Sequence, residues 1–241
     1  MNKQGELLYT GKTKQVFKTD NPELVIIHYK DDALAYNGIK RAQITNKGVI
    51  NNKISANIFY RLENLGFNTH FIERLNDREQ LCKRKENVIQ LEFIVRNIAA
   101  GSMARRLGLK VGTRLATPVY ELCYKNDELH DPLINEHHAV ALGLSTYEEL
   151  AEIDAIVRRL NTELQNIFSN IGITLVDAKF EFGRTSDGML VLADEISPDT
   201  TRLWDTKTLE SLDKDRFRHD LGKISEAYEE ILNRLSKSIV H

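Results

Sequence analysis

Short runs of apolar and polar residues fill the first third of the chain. Residues 6–10, 15–19 and 24–30 are rich in β-branched and aromatic side chains and read as strands. A glycine-led basic turn, Gly11-Lys12-Thr13-Lys14, separates the first two. Residues 31–48 show no clean period and carry two glycines, so they read as a long loop. Such a loop in a compact domain is more often functional than idle. The period then changes. Ile50, Ile54, Ile58 and Leu62 recur every four residues, which predicts a helix over 49–65 that Gly66 stops. Strand-like runs resume at 69–75, 79–85 and 88–97. Residues 101–109 predict a short helix opening at Gly101-Ser102, and 118–126 a further strand. Ser145 and Glu148 have capping-box spacing and open a helix to about residue 170, with Ile153, Ile156, Val157, Leu160, Leu164 and Ile167 as its apolar stripe. A hairpin follows, 173–183 and 189–196, then a loop over 197–205 and a charged helical region over 207–238. A strand-rich half before a mixed half predicts an α+β fold in two packed lobes.

Composition narrows the function classes. Of 241 residues, 41% are hydrophobic and 28% charged, as in ordinary globular domains. With 33 basic and 35 acidic side chains the net charge is −2, so no basic face is offered to nucleic acid or to a membrane surface. Any phosphate site must be a local cluster. No apolar run approaches the roughly 20 residues of a membrane helix, and the N-terminal residues lack the apolar stretch of a secretory signal. The expectation is a cytoplasmic protein with no membrane and no nucleic-acid partner. Cys82 and Cys123 lack metal-site or CxxC spacing and read as plain reduced thiols.

The hairpin carries the densest chemistry. Alternate strand residues share a face, so Asp177, Lys179 and Glu181 point one way while Val176, Ala178, Phe180 and Phe182 point into a core. If Asp187-Gly188 forms a two-residue turn, Ser186 pairs with Met189 and Glu181 falls opposite Asp194. Facing carboxylates repel, but a magnesium ion, which takes a few carboxylates plus phosphate oxygens, would reverse that sign. A solvated charged face accounts for the row equally well, and a one-residue slip would remove the pairing.

Other segments are weaker alone. Glycine in the Gly11–Lys14 turn lets backbone N–H groups approach phosphate oxygens, with the lysines supplying charge, yet basic hairpin turns are common. Arg96 ends a strand that leads through small residues to a helix start at Gly101-Ser102, a setting suited to anions. Arg202 sits in the loop after the acidic hairpin. His137 and His138 are adjacent, diverge on a helix, and read as surface residues.

Taken in order, the segments YTGKTK, VRNIAAGS, KNDELHDP, LVDAKFEFG, ADEISPDTTRLWD and DKDRFRHDLG resemble the SAICAR synthetase family over about residues 6–230. The resemblance implies an antiparallel N-terminal sheet lobe, 1–87, packed on a larger mixed α/β lobe, 88–241. ATP would lie between them, as in kinase-like and ATP-grasp sites. It implies an ATP-dependent ligase that joins L-aspartate to a carboxylated aminoimidazole ribonucleotide, giving the succinocarboxamide, ADP and phosphate. Gly11, Lys12, Thr13 and Lys14 would meet the phosphates of ATP, and Val16, Lys83 and Val88 its base. Arg96, Ser102 and Arg202 would bind the ribonucleotide, with Lys125 and Asp131 nearby and Arg218 reaching its phosphate. Asp177 and Lys179 would face the reacting end, and Glu181 and Asp194 would hold Mg²⁺. A homodimer is compatible with the sequence. Another ATP-dependent carboxylate–amine ligase, a small-molecule kinase or a non-catalytic nucleotide sensor would share parts of this set.

Overall fold

The computed structural model describes residues 3–36 and 38–238. The strands are β1 (Leu7–Thr10), β2 (Lys14–Lys18), β3 (Leu24–Tyr29), β4 (Asp32–Ala35), β5 (Lys40–Gln43), β6 (Phe71–Arg74), β7 (Glu79–Lys83), β8 (Asn87–Val88), β9 (Leu91–Ile98), β10 (Arg114–Tyr124), β11 (Leu133–Ile134), β12 (Ile173–Arg184), β13 (Leu190–Ala193) and β14 (Thr201–Asp205). The helices are α1 (Lys47–Asn64), α2 (Gly101–Leu107), α3 (Glu136–Ala141), α4 (Tyr147–Ser169), α5 (Asp215–Arg218) and α6 (Ile224–Lys237). Antiparallel sheets with helices interspersed between their strands make an α+β fold, as expected.

Two compact units emerge, and neither is one contiguous piece. The first comprises 1–88, 182–199 and 212–241; the second comprises 89–181 and 200–211. The expected division into 1–87 and 88–241 therefore differs from the structure beyond residue 181. The cause is that β12 gives Ile173–Glu181 to the second unit and its last three residues to the first.

In the first unit an antiparallel sheet has the order β1-β2-β3-β7-β6. Helix α1 lays Ile54, Ile58, Phe59 and Leu62, all buried, toward β3, β6 and β7, and packs on α6 along another side. The region read as a loop, 31–48, instead forms the β4–β5 pair, and α1 begins at its end. Its period-two pattern rests on Ala33 and Ala35, buried against Phe217; alanine is a poor strand former, so the signal is faint. The charged helical region expected over 207–238 holds two helices, α5 and α6, with Asp220, Gly222 and Lys223 at positive φ between them.

In the second unit β11, β10, β9 and β12 are neighbours in that order, and β14 pairs with β12. Helix α4 contributes buried Leu160, Leu164 and Phe168. Asn161 on α4 and Asn97 on β9 exchange two side-chain hydrogen bonds of 2.9 Å. The α4 N-cap is Thr146, whose hydroxyl accepts from the Glu149 N–H, one residue beyond the expected Ser145. The segment 201–205, expected as loop, is a strand. Pro198 and Asp199 mark a turn in sequence, but five alternating residues after them find an open edge of β12.

Candidate active site

Strand register builds the charged centre of the second unit. Asp177 on β12 lies directly across from Arg96 on β9 and from Arg202 on β14. Direct cross-strand partners share a face, so one carboxylate stands in a row between two guanidiniums. Arg96 donates to Asp177 Oδ2 at 2.9 Å and Arg202 donates to the same oxygen at 2.7 Å. Arg96 also donates to Glu121 at 2.9 Å and to the Ser102 hydroxyl at 3.1 Å. Asp177 is 4% exposed and Arg96 is likewise buried, so these bonds work with little screening by water. Gly101 makes room for the row. Its φ is +53°, and a Cβ there would lie 2.5 Å from Arg202 Nη2.

Two residues further along β12 the pattern repeats with lysines. Lys179 contacts Glu92 at 2.9 Å and Glu181 at 2.5 Å, while Lys125 pairs with the other oxygen of Glu181. The carboxylates on the polar face of β12 are therefore each paired with a cationic side chain. Its opposite face, with Val176, Ala178 and Phe180, is buried as expected. Asp131 has positive φ and accepts the Asn126 N–H at 2.9 Å, fixing the turn that follows Lys125.

The first unit holds the glycine-led turn. Gly11 N–H donates to the Lys14 carbonyl at 2.8 Å, closing it between β1 and β2. Lys12 is exposed, and Thr13 accepts the Lys30 N–H at 2.9 Å. Val16 packs against Val25, Ile27, Tyr29 and Cys82. Lys83 donates to the Thr69 carbonyl at 3.2 Å, and Val88 pairs with Gly183. Lys14 turns inward. Its ammonium pairs with Asp194 and, at 2.9 Å, with Glu195, and stands 5.5 Å from the Tyr29 ring centroid. Burial opposes charge on Lys14, but Asp194 and Glu195 outweigh it and hold the ammonium well above the usual lysine range.

The hairpin turn differs from the two-residue Asp187-Gly188 turn expected. Thr185 N–H donates to the Met189 carbonyl and Gly188 N–H to the Thr185 carbonyl, so the hairpin loop has three residues, with Gly188 at φ +82°. The register moves by one, β13 stops at Ala193, and Asp194 leaves it at φ +62°. Sequence reasoning missed Glu195, Glu121 and Glu92. It also missed a buried group in the first unit: Lys47 pairs with Asp199 at 2.5 Å, and Tyr228 donates to Asp199 at 2.8 Å. Burial alone would raise the Asp199 carboxyl; Lys47 and Lys214 instead hold it well below the carboxylate range. Arg218, on α5, pairs with Asp215 at 2.5 Å in this same unit. Lys47 fell in the segment read as loop, so the sequence did not single it out.

His137 and His138 are exposed, His138 serving the Asn135 capping box. Cys82 and Cys123 are free and buried, and burial pushes their thiols up to about 12 and about 11, away from the thiolate form. No described helix is long and apolar enough to cross a membrane.

A family model described as SAICAR synthetase matches residues 7–235. A phosphoribosylaminoimidazole-succinocarboxamide synthase of Fusobacterium nucleatum subsp. nucleatum is 58% identical over 234 residues, 97% of this chain and 98% of that protein. Among solved structures, the phosphoribosylaminoimidazole-succinocarboxamide synthase of Ehrlichia chaffeensis superposes with a TM-score of 0.93 at 44% identity, covering 96% of this chain and 98% of that one. A SAICAR synthetase (type 2) in complex with ADP gives 0.92 at 44% identity with the same coverage. Matched over nearly its whole length in sequence and in fold, the chain belongs to the SAICAR synthetase family.

Proposed function

We propose that this chain is an ATP-dependent ligase of purine biosynthesis. It joins L-aspartate to the carboxylate of 5-amino-1-(5-phospho-D-ribosyl)imidazole-4-carboxylate and releases ADP and phosphate. The observation that carries the reading is the Arg96–Asp177–Arg202 row with Ser102 at its side. Two planar guanidiniums and a hydroxyl on a buried face suit a small ligand bearing phosphate and carboxylate groups.

Roles follow the family pattern. Gly11, Lys12, Thr13 and Lys14 are assigned to the ATP phosphates, and Val16, Lys83 and Val88 to the adenine. Arg96, Ser102 and Arg202 orient the ribonucleotide, Lys125 and Asp131 serve nearby, and Arg218 takes its phosphate. Asp177 and Lys179 serve the reacting end. Glu181 and Asp194 are the carboxylates assigned to Mg²⁺, and the donor set fits that ion. Each is a hard oxygen donor already held against an ammonium, where a cation is favoured. No group of three metal-ligating side chains occurs among the described residues, as suits a metal that arrives largely on nucleotide phosphates. When bound, Mg²⁺ would offset charge on the transferring phosphate.

A carboxylate resists amine attack because its oxygen leaves poorly. In the proposed route one carboxylate oxygen attacks the γ-phosphorus and the bond to ADP breaks, giving an acyl phosphate. The deprotonated aspartate amine then attacks the acyl carbon, and phosphate leaves with the original carboxylate oxygen. The residues supply orientation and charge neutralisation rather than a nucleophile. Phosphate release should require all three substrates together. With the substrate carboxylate labelled with oxygen-18, label should appear in the released phosphate; unlabelled phosphate would sink the acyl-phosphate route.

A further inference from the structure

Lys14 is held by two acids that differ sharply in access to water. The Asp194 side chain is 19% exposed and that of Glu195 2%. Consecutive residues on a strand point to opposite faces; here the left-handed backbone at Asp194 breaks the alternation, so both reach one ammonium. Tyr29, directly opposite Lys14 across β2 and β3 and buried, closes another side with its ring.

We propose that Glu195 is a positioning residue that keeps Lys14 aimed at the nucleotide phosphates while Asp194 turns to the metal that accompanies them. This rests on the assignments of Lys14 and Asp194 made above. A divalent ion at Asp194 competes with Lys14 for the same carboxylate, and two cations on one anion repel. A lysine is a point charge on a flexible stem and would swing away without a second anchor. Glu195 supplies it. Its bond to Lys14 is stronger for being buried, and exchanging that ammonium for a hydrated ion would cost more desolvation than at the partly accessible Asp194. Burial thus divides one ion-paired cluster into an exchangeable acid and a retained one.

The test is calorimetric binding of ADP, with Mg²⁺ and in EDTA, to the full-length protein and to Glu195→Gln, Lys14→Met and the double variant. Glu195→Gln should weaken ADP binding about tenfold to a hundredfold with Mg²⁺, the worth of one charge-assisted hydrogen bond. The loss should be smaller in EDTA, where Asp194 still holds Lys14. In the Lys14→Met background the Glu195 change should add nothing, and the Michaelis constant for the imidazole ribonucleotide should stay unchanged in Glu195→Gln. Glu195→Asp keeps the charge and carries the same comparison if the Gln variant does not fold. Equal losses with and without metal, no loss, or a loss that persists without Lys14 would each overturn the proposal. Unchanged ADP binding in Lys14→Met would instead overturn the phosphate assignment on which it rests.

Discussion

Asp177 and Lys14 are mirror images in charge. One is a carboxylate between two guanidiniums, the other an ammonium between two carboxylates. They are built differently. Asp177 and its two arginines come from three adjacent strands, and register alone puts them in a row. The two acids around Lys14 are neighbours in sequence and reach it only because Asp194 adopts a left-handed backbone. Sheet register preorganises charge rigidly, with planar forks that do not rotate out of place. A turn with one flexible lysine gives a grip that can change partners.

The largest effect that would break this comparison is expected at Asp177. Asp177→Asn keeps the shape but removes the charge that both arginines share. With two charge-assisted bonds weakened, kcat/KM should fall about 10²–10⁴-fold, measured by steady-state phosphate release. The buried carboxylate in the first unit gives the next case. Asp199→Asn leaves Lys47 without its counter-ion and should cost about 3–5 kcal/mol in denaturant unfolding. The sign with pH follows. The folded carboxyl is depressed, so its contribution is fully present above the unfolded value of about 3.9. It is lost as pH falls through the lower folded value. The acid limb of the stability curve of Asp199→Asn should accordingly be flatter.

Asp194→Asn sharpens the contrast at the exchangeable acid. Asn tolerates a left-handed backbone as Asp does, so stability should change little. The rate should drop about a hundredfold, with a higher magnesium requirement in a metal titration. An unaltered magnesium requirement would remove Asp194 from the metal. At the rigid row, Gly101→Ala drives a Cβ toward the Arg202 guanidinium, and Arg202→Lys loses the planar fork. Each should raise the Michaelis constant for the imidazole ribonucleotide about tenfold, one charge-assisted contact, while that for ATP stays unchanged. Equal changes for both substrates would count against the assignment. The smallest effect is expected far from both regions. His138→Ala removes half of a capping box, worth about 0.5–1 kcal/mol of stability, with unchanged turnover.

The row around Asp177 was half legible in sequence. Alternation on β12 put Asp177, Lys179 and Glu181 on one face, and the motifs supplied Arg96, Ser102 and Arg202. That Arg202 is a strand residue was hidden, because Pro198 and Asp199 look like the start of a loop while the pairing that makes β14 lies in a distant segment. The Lys14 cluster was less legible. A two-residue Asp-Gly turn was the simplest reading, and one additional loop residue moved the register. Glu195 was invisible because period-two reasoning sends it away from Asp194. Long helices were readable from apolar spacing, whereas β4 and β5 depend on alanines whose burial only tertiary packing decides.

Because β12 passes from one unit to the other, the unit whose sheet is synthesised before the second unit is closed only after it. Residues 1–88 lay down the five-stranded sheet and α1, yet α6 packs on α1 and hydrogen-bonds it through Arg61, which reaches Leu235 at 3.0 Å and Ser238 at 2.7 Å. A ribosome that has released the sheet must therefore elongate through the whole of the second unit before the flank of α1 is covered. At about 5–20 residues per second that interval lasts on the order of ten seconds. The nascent chain spends it with the α6-facing side of α1 uncovered.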